Sequence, residues 1–318
     1  MWRARSLLLD IDVAIKVLYR EHADLNAAER LLREARALAK LEHPGIVRVF
    51  DFGETEAGEP FLVMEVLDGV SLAHWLDDQG RMPATQAVQM LLPIAAALCG
   101  AHAHGIVHRD VKPENIIVVA DGLGGYSPKI VDFGIAKLAS SNGQVLTQQG
   151  TVLGSLEYMS PEQADGKPEV GEQTDVWALS VVLYELITGR RPFEGPSITA
   201  IIFALYSCAP TPTTHFAAGD EELWRIIERG LRKSPHERWP TMRALGQALA
   251  LWAERRGITA DVAGTSLQYY WHMKPSDTAV VATPTNKLTS AVAEPVAPSC
   301  DEAPSSPSTS SGCRFPFA

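Results

Sequence analysis

Apolar and polar residues alternate from the first positions of the chain, which is the spacing of a β-strand with one buried face. The opening stretch, MWRARSLLLDIDVAIKVL, holds this alternation from Leu7 to Val17. Two later stretches, VRVFDFGE and PFLVMEV, also have the composition of strands and are separated by a turn that contains glycine. The first part of the chain is therefore predicted to form a small β-sheet.

A helical pattern interrupts these strands between residues 27 and 41, where AAERLLREARALAKL places apolar residues three or four positions apart. The HPG that follows ends this helix, because proline and glycine do not continue it. From about residue 71 to residue 256 most of the chain has helical patterns, with two short strands at NIIVVA and KIVDF. These elements predict an α+β protein whose second part is larger and mostly helical.

The composition changes toward the C-terminus. From residue 283 the chain is rich in Pro, Ser, Thr and Ala and poor in large apolar residues. Such a segment buries too little apolar surface to offset the conformational entropy lost on folding. We therefore expect a folded domain over residues 1–256 and a disordered tail over residues 257–318.

Charge and cysteine content narrow the class of protein. The formal net charge of -10 disfavours a nucleic-acid partner. The four cysteines are widely spaced and form no CxxC, which is typical of reduced cytosolic thiols. The longest apolar run, from Met90 to Ala101, is too short for a membrane span and contains Pro93. We expect a cytoplasmic protein without a membrane span.

Two short segments in the middle of the chain carry the candidate chemistry: HRDVKPEN at residues 108–115 and VDFG at residues 131–134. An isolated HRD triplet is most often a solvated loop. Its extension through KPEN, followed by a strand, a turn and DFG, resembles the bacterial Hanks-type serine/threonine protein kinases, over about residues 1–256. The resemblance implies a two-lobed protein-kinase-like fold. A small, mostly β N-lobe and hinge would occupy residues 1–67, and a larger α-helical C-lobe residues 68–256.

The resemblance also implies the roles of the catalytic residues. Phosphoryl transfer depends mainly on positioning and on charge neutralisation. Asp110 would accept the proton of the substrate hydroxyl, and Lys112 would lie against the γ-phosphate of ATP. Asn115 and Asp132 would bind Mg²⁺, which prefers oxygen ligands. Lys112 is typical of the serine/threonine form of this loop, so the expected substrates are Ser and Thr hydroxyls of proteins, in signal transduction.

Nucleotide-binding residues are expected in the N-lobe and the hinge. A lysine that ends an apolar strand is usually a solvated edge residue, but the resemblance implies that Lys16 in VAIK binds the α- and β-phosphates. Its expected partner is Glu34, although Glu29 on the same predicted helix competes. The stretch MEVLDG resembles the hinge, where backbone groups from Glu65 to Leu67 would contact adenine.

Three residues would support the catalytic loop. Asp175 in TDVWALS would brace the backbone of this loop, as in the family that the chain resembles. Glu162 in YMSPEQ would form an ion pair with Arg238 in HERWP. Both expectations join segments that are far apart in the sequence.

Regulation by phosphorylation is expected from Arg109, because kinases with an arginine before the catalytic aspartate are often switched through their activation loop. The expected phosphate acceptors are Thr147 and Thr151, whereas Ser155 would be structural. Self-association for autophosphorylation would be one route to this modification.

Two patterns suggest other functions. His102, His104 and His108 could indicate a metal site, but their positions at a helix end and in the kinase motif favour packing and capping. The GLGG at residues 122–125 is predicted to be a flexible hairpin between two strands, not a phosphate-binding loop.

No glycine precedes Val13, where the family has a glycine-rich loop that covers the phosphates. The N-lobe is therefore expected to be truncated, either naturally or because the start of the chain was assigned too far downstream. Nucleotide binding would then be impaired, and the edge of the sheet would be open to association. A pseudokinase-like binding scaffold is the first alternative to an active kinase, and a small-molecule phosphotransferase is the second.

Overall fold

The computed structural model describes residues 1–7, 10–17, 38–39, 41–56, 58–122, 125–133, 156–167 and 170–272. Several expectations fall outside these ranges. They concern Glu34 and Glu29 as partners of Lys16, the acceptors Thr147 and Thr151, the role of Ser155, and disorder after residue 272.

A four-stranded antiparallel sheet forms the N-lobe, with strand order β1-β2-β4-β3. The strands are β1 (Trp2–Ser6), β2 (Ile11–Val17), β3 (Val49–Glu54) and β4 (Pro60–Glu65). Val13, Leu62 and Met64 are buried on this sheet, but the structure follows the predicted alternation only in part, because Ile11 is 39% exposed and Val63, between Leu62 and Met64, is also buried. β1 is an edge strand, and its Trp2 is 52% exposed.

A second antiparallel sheet lies in the C-lobe, with the order β5 (Gly69–Ser71), β6 (Ile116–Ala120) and β7 (Tyr126–Ile130). The predicted hairpin joins β6 to β7: Asp121 N donates to Gly125 O at 3.0 Å, and Gly125 N donates to Asp121 Oδ1 at 2.8 Å. β7 ends before the predicted KIVDF strand does, because Asp132 has a φ of 58°, which no strand residue adopts.

The rest of the C-lobe is helical. The helices of the described residues are α1 (Leu72–Gln79), α2 (Ala84–Ala103), α3 (Pro161–Ala164), α4 (Gln173–Thr188), α5 (Ile198–Ser207), α6 (Glu221–Gly230), α7 (Met242–Glu254) and α8 (Leu267–His272). Short 3₁₀ turns occur at Pro113–Asn115, Thr213–Phe216 and Pro235–Glu237. Side chains of Ser71, Ser197, Asp220 and Thr241 cap the N-termini of α1, α5, α6 and α7.

The two central helices of the C-lobe are α2 and α4, and both are largely buried. α2 has 20 residues and is longer than the apolar run that first marked it. By length and composition alone α2 could cross a membrane, the one such helix within the described ranges. Its apolar side chains pack in the hydrophobic core, which accounts for its composition.

The segment after α7 packs on α2 at Pro93. Proline has no backbone N–H, so the carbonyl of Gln89, four residues earlier, lacks its helical donor. Val262 N donates to Gln89 O at 3.2 Å, and the side chain of Gln89 donates to Ala260 O at 3.0 Å. Residues after 256 therefore complete the hydrogen bonding of a core helix.

Helix α8 then packs on α7. Trp271 is 1% exposed and lies so close to Gly246 that no side chain would fit at that position. Gln247 Nε2 donates to Trp271 O at 2.8 Å. Residues 257–272 thus belong to the folded domain, so the expected start of the tail at residue 257 is too early. The buried Leu267 and Trp271 are the physical reason.

Candidate active site

The catalytic-loop segment HRDVKPEN connects α2 to β6. Asp175, fully buried at the start of α4, accepts hydrogen bonds from the backbone N of His108 and of Arg109, each at 2.8 Å. Arg109 has a φ of 64°, a strained conformation for a residue with a side chain. The structure thus brings Asp175 to the loop as predicted, and its carboxylate holds the strained backbone in place.

His102 contacts the same carboxylate of Asp175. Its Nε2 is 2.7 Å from Asp175 Oδ2, and its Nδ1 is 3.2 Å from Glu172 Oε2. The sequence indicated only packing or capping for His102, and its hydrogen bond with the carboxylate of Asp175 was missed. His104 has the simpler role, because its Nδ1 contacts Gly100 O at 2.9 Å at the end of α2.

Asp110, Lys112 and Asn115 meet in the loop. Asn115 Nδ2 donates to Asp110 O at 2.8 Å and to Asp110 Oδ2 at 3.1 Å. Lys112 Nζ is 3.5 Å from the same carboxylate oxygen. These three predicted residues therefore form one cluster, in which the Asp110 carboxylate is oriented by an amide and a cation.

Lys16 and Asp132 form the second cluster. Lys16 Nζ is 2.7 Å from Asp132 Oδ1, and both side chains are 28% exposed. β2 supplies Lys16, and the left-handed turn after β7 supplies Asp132. The contact therefore joins the N-lobe to the C-lobe.

Val131 connects the two clusters. Val131 N donates to Asn115 O at 2.9 Å, and Val131 O is 3.0 Å from His108 Nε2. Asp110 N donates to His108 Nδ1 at 3.2 Å, so Nε2 carries the proton and donates to Val131. Burial lowers the pKa of His108, which agrees with a neutral ring.

The donor atoms fit the needs of Mg²⁺. This ion is usually held by one or two carboxylates together with substrate phosphates and water. Asp132 provides a carboxylate. Asn115 provides an amide oxygen, because it binds Asp110 through Nδ2 and not through Oδ1. Within the described ranges, no cluster of three or more His, Cys, Asp or Glu residues suits an all-protein metal site.

The expected hinge follows β4. Leu67 packs against the hydrophobic core, and the side chain of Glu65 contacts Lys129 on β7, with Lys129 Nζ 2.6 Å from Glu65 Oε1. Sequence reasoning missed Lys129. No local pattern reveals this partner, because it lies in another strand far along the chain.

Behind the loop, Arg238 forms the predicted pair with Glu162 through two bonds of 2.7 Å. Burial alone would raise the pKa of Glu162, but the hydrogen bonds and charge of Arg238 outweigh this and lower it. Gln163, beside Glu162, donates to Arg109 O at 2.8 Å. The segment that follows the activation loop is thereby attached to the catalytic loop.

The geometry agrees with three comparisons with known proteins. The model of the family described as "Protein kinase domain" matches residues 5–249. A solved structure, Rad53 1-466 in complex with AMP-PNP, superposes with a TM-score of 0.62 at 25% identity, covering 77% of this chain and 59% of that one. The two-lobed kinase fold predicted from the sequence is thus confirmed.

Two curated relatives are bacterial kinases. PkaA, a serine/threonine-protein kinase of Streptomyces coelicolor, is 41% identical over 256 residues, which are 79% of this chain and 45% of PkaA. PknB, a serine/threonine-protein kinase of Mycobacterium tuberculosis, is 39% identical over 243 residues, 75% of this chain and 38% of PknB. The chain thus spans less than half the length of either relative. By its family match and its structure, the chain belongs to the protein kinase domain family.

Proposed function

We propose that this chain is a serine/threonine protein kinase that uses ATP and Mg²⁺ and acts in bacterial signalling. One observation carries the proposal: Asp110, Lys112 and Asn115 form one cluster that Val131 links to the ion pair of Lys16 and Asp132. The names of the relatives support the same activity.

In this proposal Asp110 binds the hydroxyl of a protein Ser or Thr and accepts its proton as the oxygen attacks the γ-phosphorus, while the bond from the γ-phosphorus to the bridging oxygen breaks and ADP leaves. The amide of Asn115, 3.1 Å away, keeps the carboxylate in its orientation. Lys112 moves from Asp110 toward the transferred group and balances its charge.

Asp132 and the amide oxygen of Asn115 would hold Mg²⁺, which neutralises charge on the phosphates when bound. Lys16 would then exchange its contact with Asp132 for the α- and β-phosphates. Backbone groups from Glu65 to Leu67 would bind adenine, and Glu34 remains the proposed partner of Lys16.

Phosphorylation of the activation loop, at Thr147 or Thr151, belongs to the same proposal. Arg109 Nε is buried and has no hydrogen-bond partner within the described ranges. A phosphate carries a charge of about -2 and three acceptor oxygens, which would satisfy this donor. Transfer between two copies of the chain would be one source of the phosphate.

The cytoplasm is the proposed location of the kinase. ATP is abundant there, and the described cysteines, Cys99 and Cys208, are free thiols. Burial raises the pKa of Cys99 to about 12, so this thiol stays protonated and unreactive.

The test is transfer of ³²P from Mg·[γ-³²P]ATP to a mixture of proteins, followed by phosphoamino-acid analysis. We expect phosphoserine or phosphothreonine and no phosphotyrosine, with no transfer by Asp132→Ala. Asp77 lies on α1 and is exposed, so Asp77→Asn is the control and should leave transfer unchanged. Nucleotide binding without transfer would instead favour the scaffold alternative.

A further inference from the structure

The carboxylate of Glu65 joins the hinge to two other parts of the molecule. Its Oε1 accepts a hydrogen bond from Lys129 Nζ at 2.6 Å. The same oxygen accepts a second bond from the backbone N of Arg48 at 2.8 Å. One side chain therefore connects the end of β4, the segment before β3 and strand β7.

Backbone hydrogen bonds continue this connection. Glu65 N donates to Arg48 O at 3.0 Å, so Arg48 binds Glu65 through both of its backbone groups, and Glu65 binds Arg48 through its backbone N and its carboxylate. On the other side of the segment, Val47 N donates to Ile130 O at 3.1 Å and Ile130 N donates to Gly45 O at 2.8 Å. Residues 45–48 thus lie between the hinge and β7.

Lys129 and Glu65 add an ion pair to these backbone hydrogen bonds. Their side chains are 20% and 24% exposed, so solvent screens the pair less than it screens a surface pair. A hydrogen bond between charged groups is shorter and stronger than a neutral one. The pair is therefore able to hold the hinge at one distance from β7.

The position of this pair gives it a consequence for nucleotide binding. Glu65 is the last residue of β4 and the first of the proposed adenine-binding backbone. Lys129 belongs to β7, which leads into Asp132. The pair therefore sets the distance between the adenine end and the phosphate end of the proposed nucleotide site before any nucleotide arrives.

We propose that Lys129 is a positioning residue for nucleotide binding, acting through the carboxylate of Glu65. This inference rests on the proposed kinase function. A hinge that is already in its binding position loses less freedom when ATP binds, which lowers KM for ATP. Lys129 contacts no reacting atom, so kcat depends on it only weakly.

The test measures KM for ATP and kcat in Lys129→Met, Lys129→Arg and Glu65→Gln. We expect Lys129→Met and Glu65→Gln to raise KM about 5- to 10-fold, the scale of a partly screened charged hydrogen bond, with kcat within about 2-fold of wild type. Lys129→Arg keeps the charge and should restore KM. Combining Lys129→Met with Glu65→Gln should raise KM no further, because the two changes remove one interaction.

Lys167→Met is the matched control, since Lys167 also pairs with a carboxylate, Asp165, but is 61% exposed. It should leave KM unchanged. Hydrogen exchange of residues 61–70 without nucleotide gives a second measurement, and it should quicken in Lys129→Met but not in Lys167→Met. Because Glu65→Gln is nearly isosteric, it tests the inference even where Lys129→Met folds poorly.

Two failures are distinguishable. A wild-type chain that neither binds Mg·ATP nor transfers phosphate contradicts the proposed function. If the wild-type chain is an active kinase and both Lys129→Met and Glu65→Gln have its KM for ATP, the inference is overturned. The proposed function then still stands. A fall in kcat at constant KM also overturns the inference, because Lys129 would then act on the chemical step.

Discussion

The two lobes position their functional residues by different means. In the C-lobe the catalytic loop rests on buried polar groups, and Asp175, His108 and Arg238 are each at most 1% exposed. In the N-lobe Lys16 lies on a sheet whose outer strand is held by exposed ion pairs, such as Arg3 with Asp12. Exposed pairs contribute little to stability, whereas a buried polar group without its partner is costly.

The two lobes therefore contribute differently to the proposed site. The C-lobe keeps Asp110, Asn115 and Asp132 in fixed relative positions, because Val131 and His108 join their backbones. Within the described ranges, the N-lobe meets this platform through the ion pairs of Lys16 with Asp132 and of Glu65 with Lys129, and through backbone hydrogen bonds between residues 45–47 and Ile130. The proposed catalytic residues thus lie on the C-lobe, and the N-lobe adds Lys16 and the hinge.

The largest expected effect is on catalysis in the C-lobe. Asp110→Asn removes the proposed base and should lower kcat about 10²- to 10⁴-fold. The melting temperature should change little, because the amide keeps an oxygen to accept from Asn115. A protein-substrate assay alongside thermal unfolding checks both results, and unchanged transfer would contradict the role of Asp110.

The next effect concerns the stability of the C-lobe. Trp271→Ala should lower the free energy of unfolding by about 3–5 kcal/mol, because it empties a buried site beside Gly246. Tyr269→Ala, on the same helix but 45% exposed, is the control and should cost less than about 1 kcal/mol. Urea unfolding measures both. If Trp271→Ala lowered the free energy of unfolding as little as Tyr269→Ala does, α8 would not belong to the core.

A smaller effect depends on pH. Burial raises the pKa of Glu185 from 4.5 to about 7. Its folded-state pKa is above the unfolded value, so the stabilisation is complete below pH 4.5 and is lost as pH rises through 7. The rise of this pKa from 4.5 to about 7 corresponds to a loss on the order of 3 kcal/mol in the free energy of unfolding. Glu185→Gln cannot ionise and should remove this pH dependence.

The measurement is urea unfolding of wild type and Glu185→Gln at pH 5 and pH 8. The advantage of the variant should appear only at the higher pH. Glu221→Gln is the control, because the Glu221 side chain is 62% exposed, and it should leave the pH dependence of stability unchanged. Parallel pH profiles for wild type and Glu185→Gln would contradict the shift.

The smallest expected effect lies in the N-lobe. Arg3→Ala removes the ion pair with Asp12, in which the arginine side chain is 71% exposed. The free energy of unfolding should change by less than about 1 kcal/mol, and salt should reduce the difference further. Thermal unfolding at low and high salt tests this. A larger loss would show that β1 depends on charge more than its exposure indicates.

The sequence predicted the parts that depend on local order. The spacing within HRDVKPEN brings Asp110, Lys112 and Asn115 into one turn, and alternation marked the N-lobe strands. The pairing of Glu162 with Arg238 joins distant segments, and only the resemblance to a known family predicted it. Patterns alone carry no such long-range contact.

The features that could not be predicted depend on tertiary packing. Pro93 shows in the sequence that a carbonyl of α2 lacks its donor, but nothing identifies Val262 as the replacement. Composition becomes tail-like only after α8, so the change after residue 256 marked the end of a helix and not of the domain. The left-handed conformation of Asp132, two residues after β7, also has no signal in the local sequence pattern.

Hydrogen exchange of the wild-type chain without nucleotide tests the difference between the lobes most directly. The account predicts that peptides from residues 106–115 exchange much more slowly than peptides from residues 1–17, because buried Asp175 holds amides of the catalytic loop while β1 is an exposed edge. Equal rates in the two segments, or faster exchange in the catalytic loop, would contradict it.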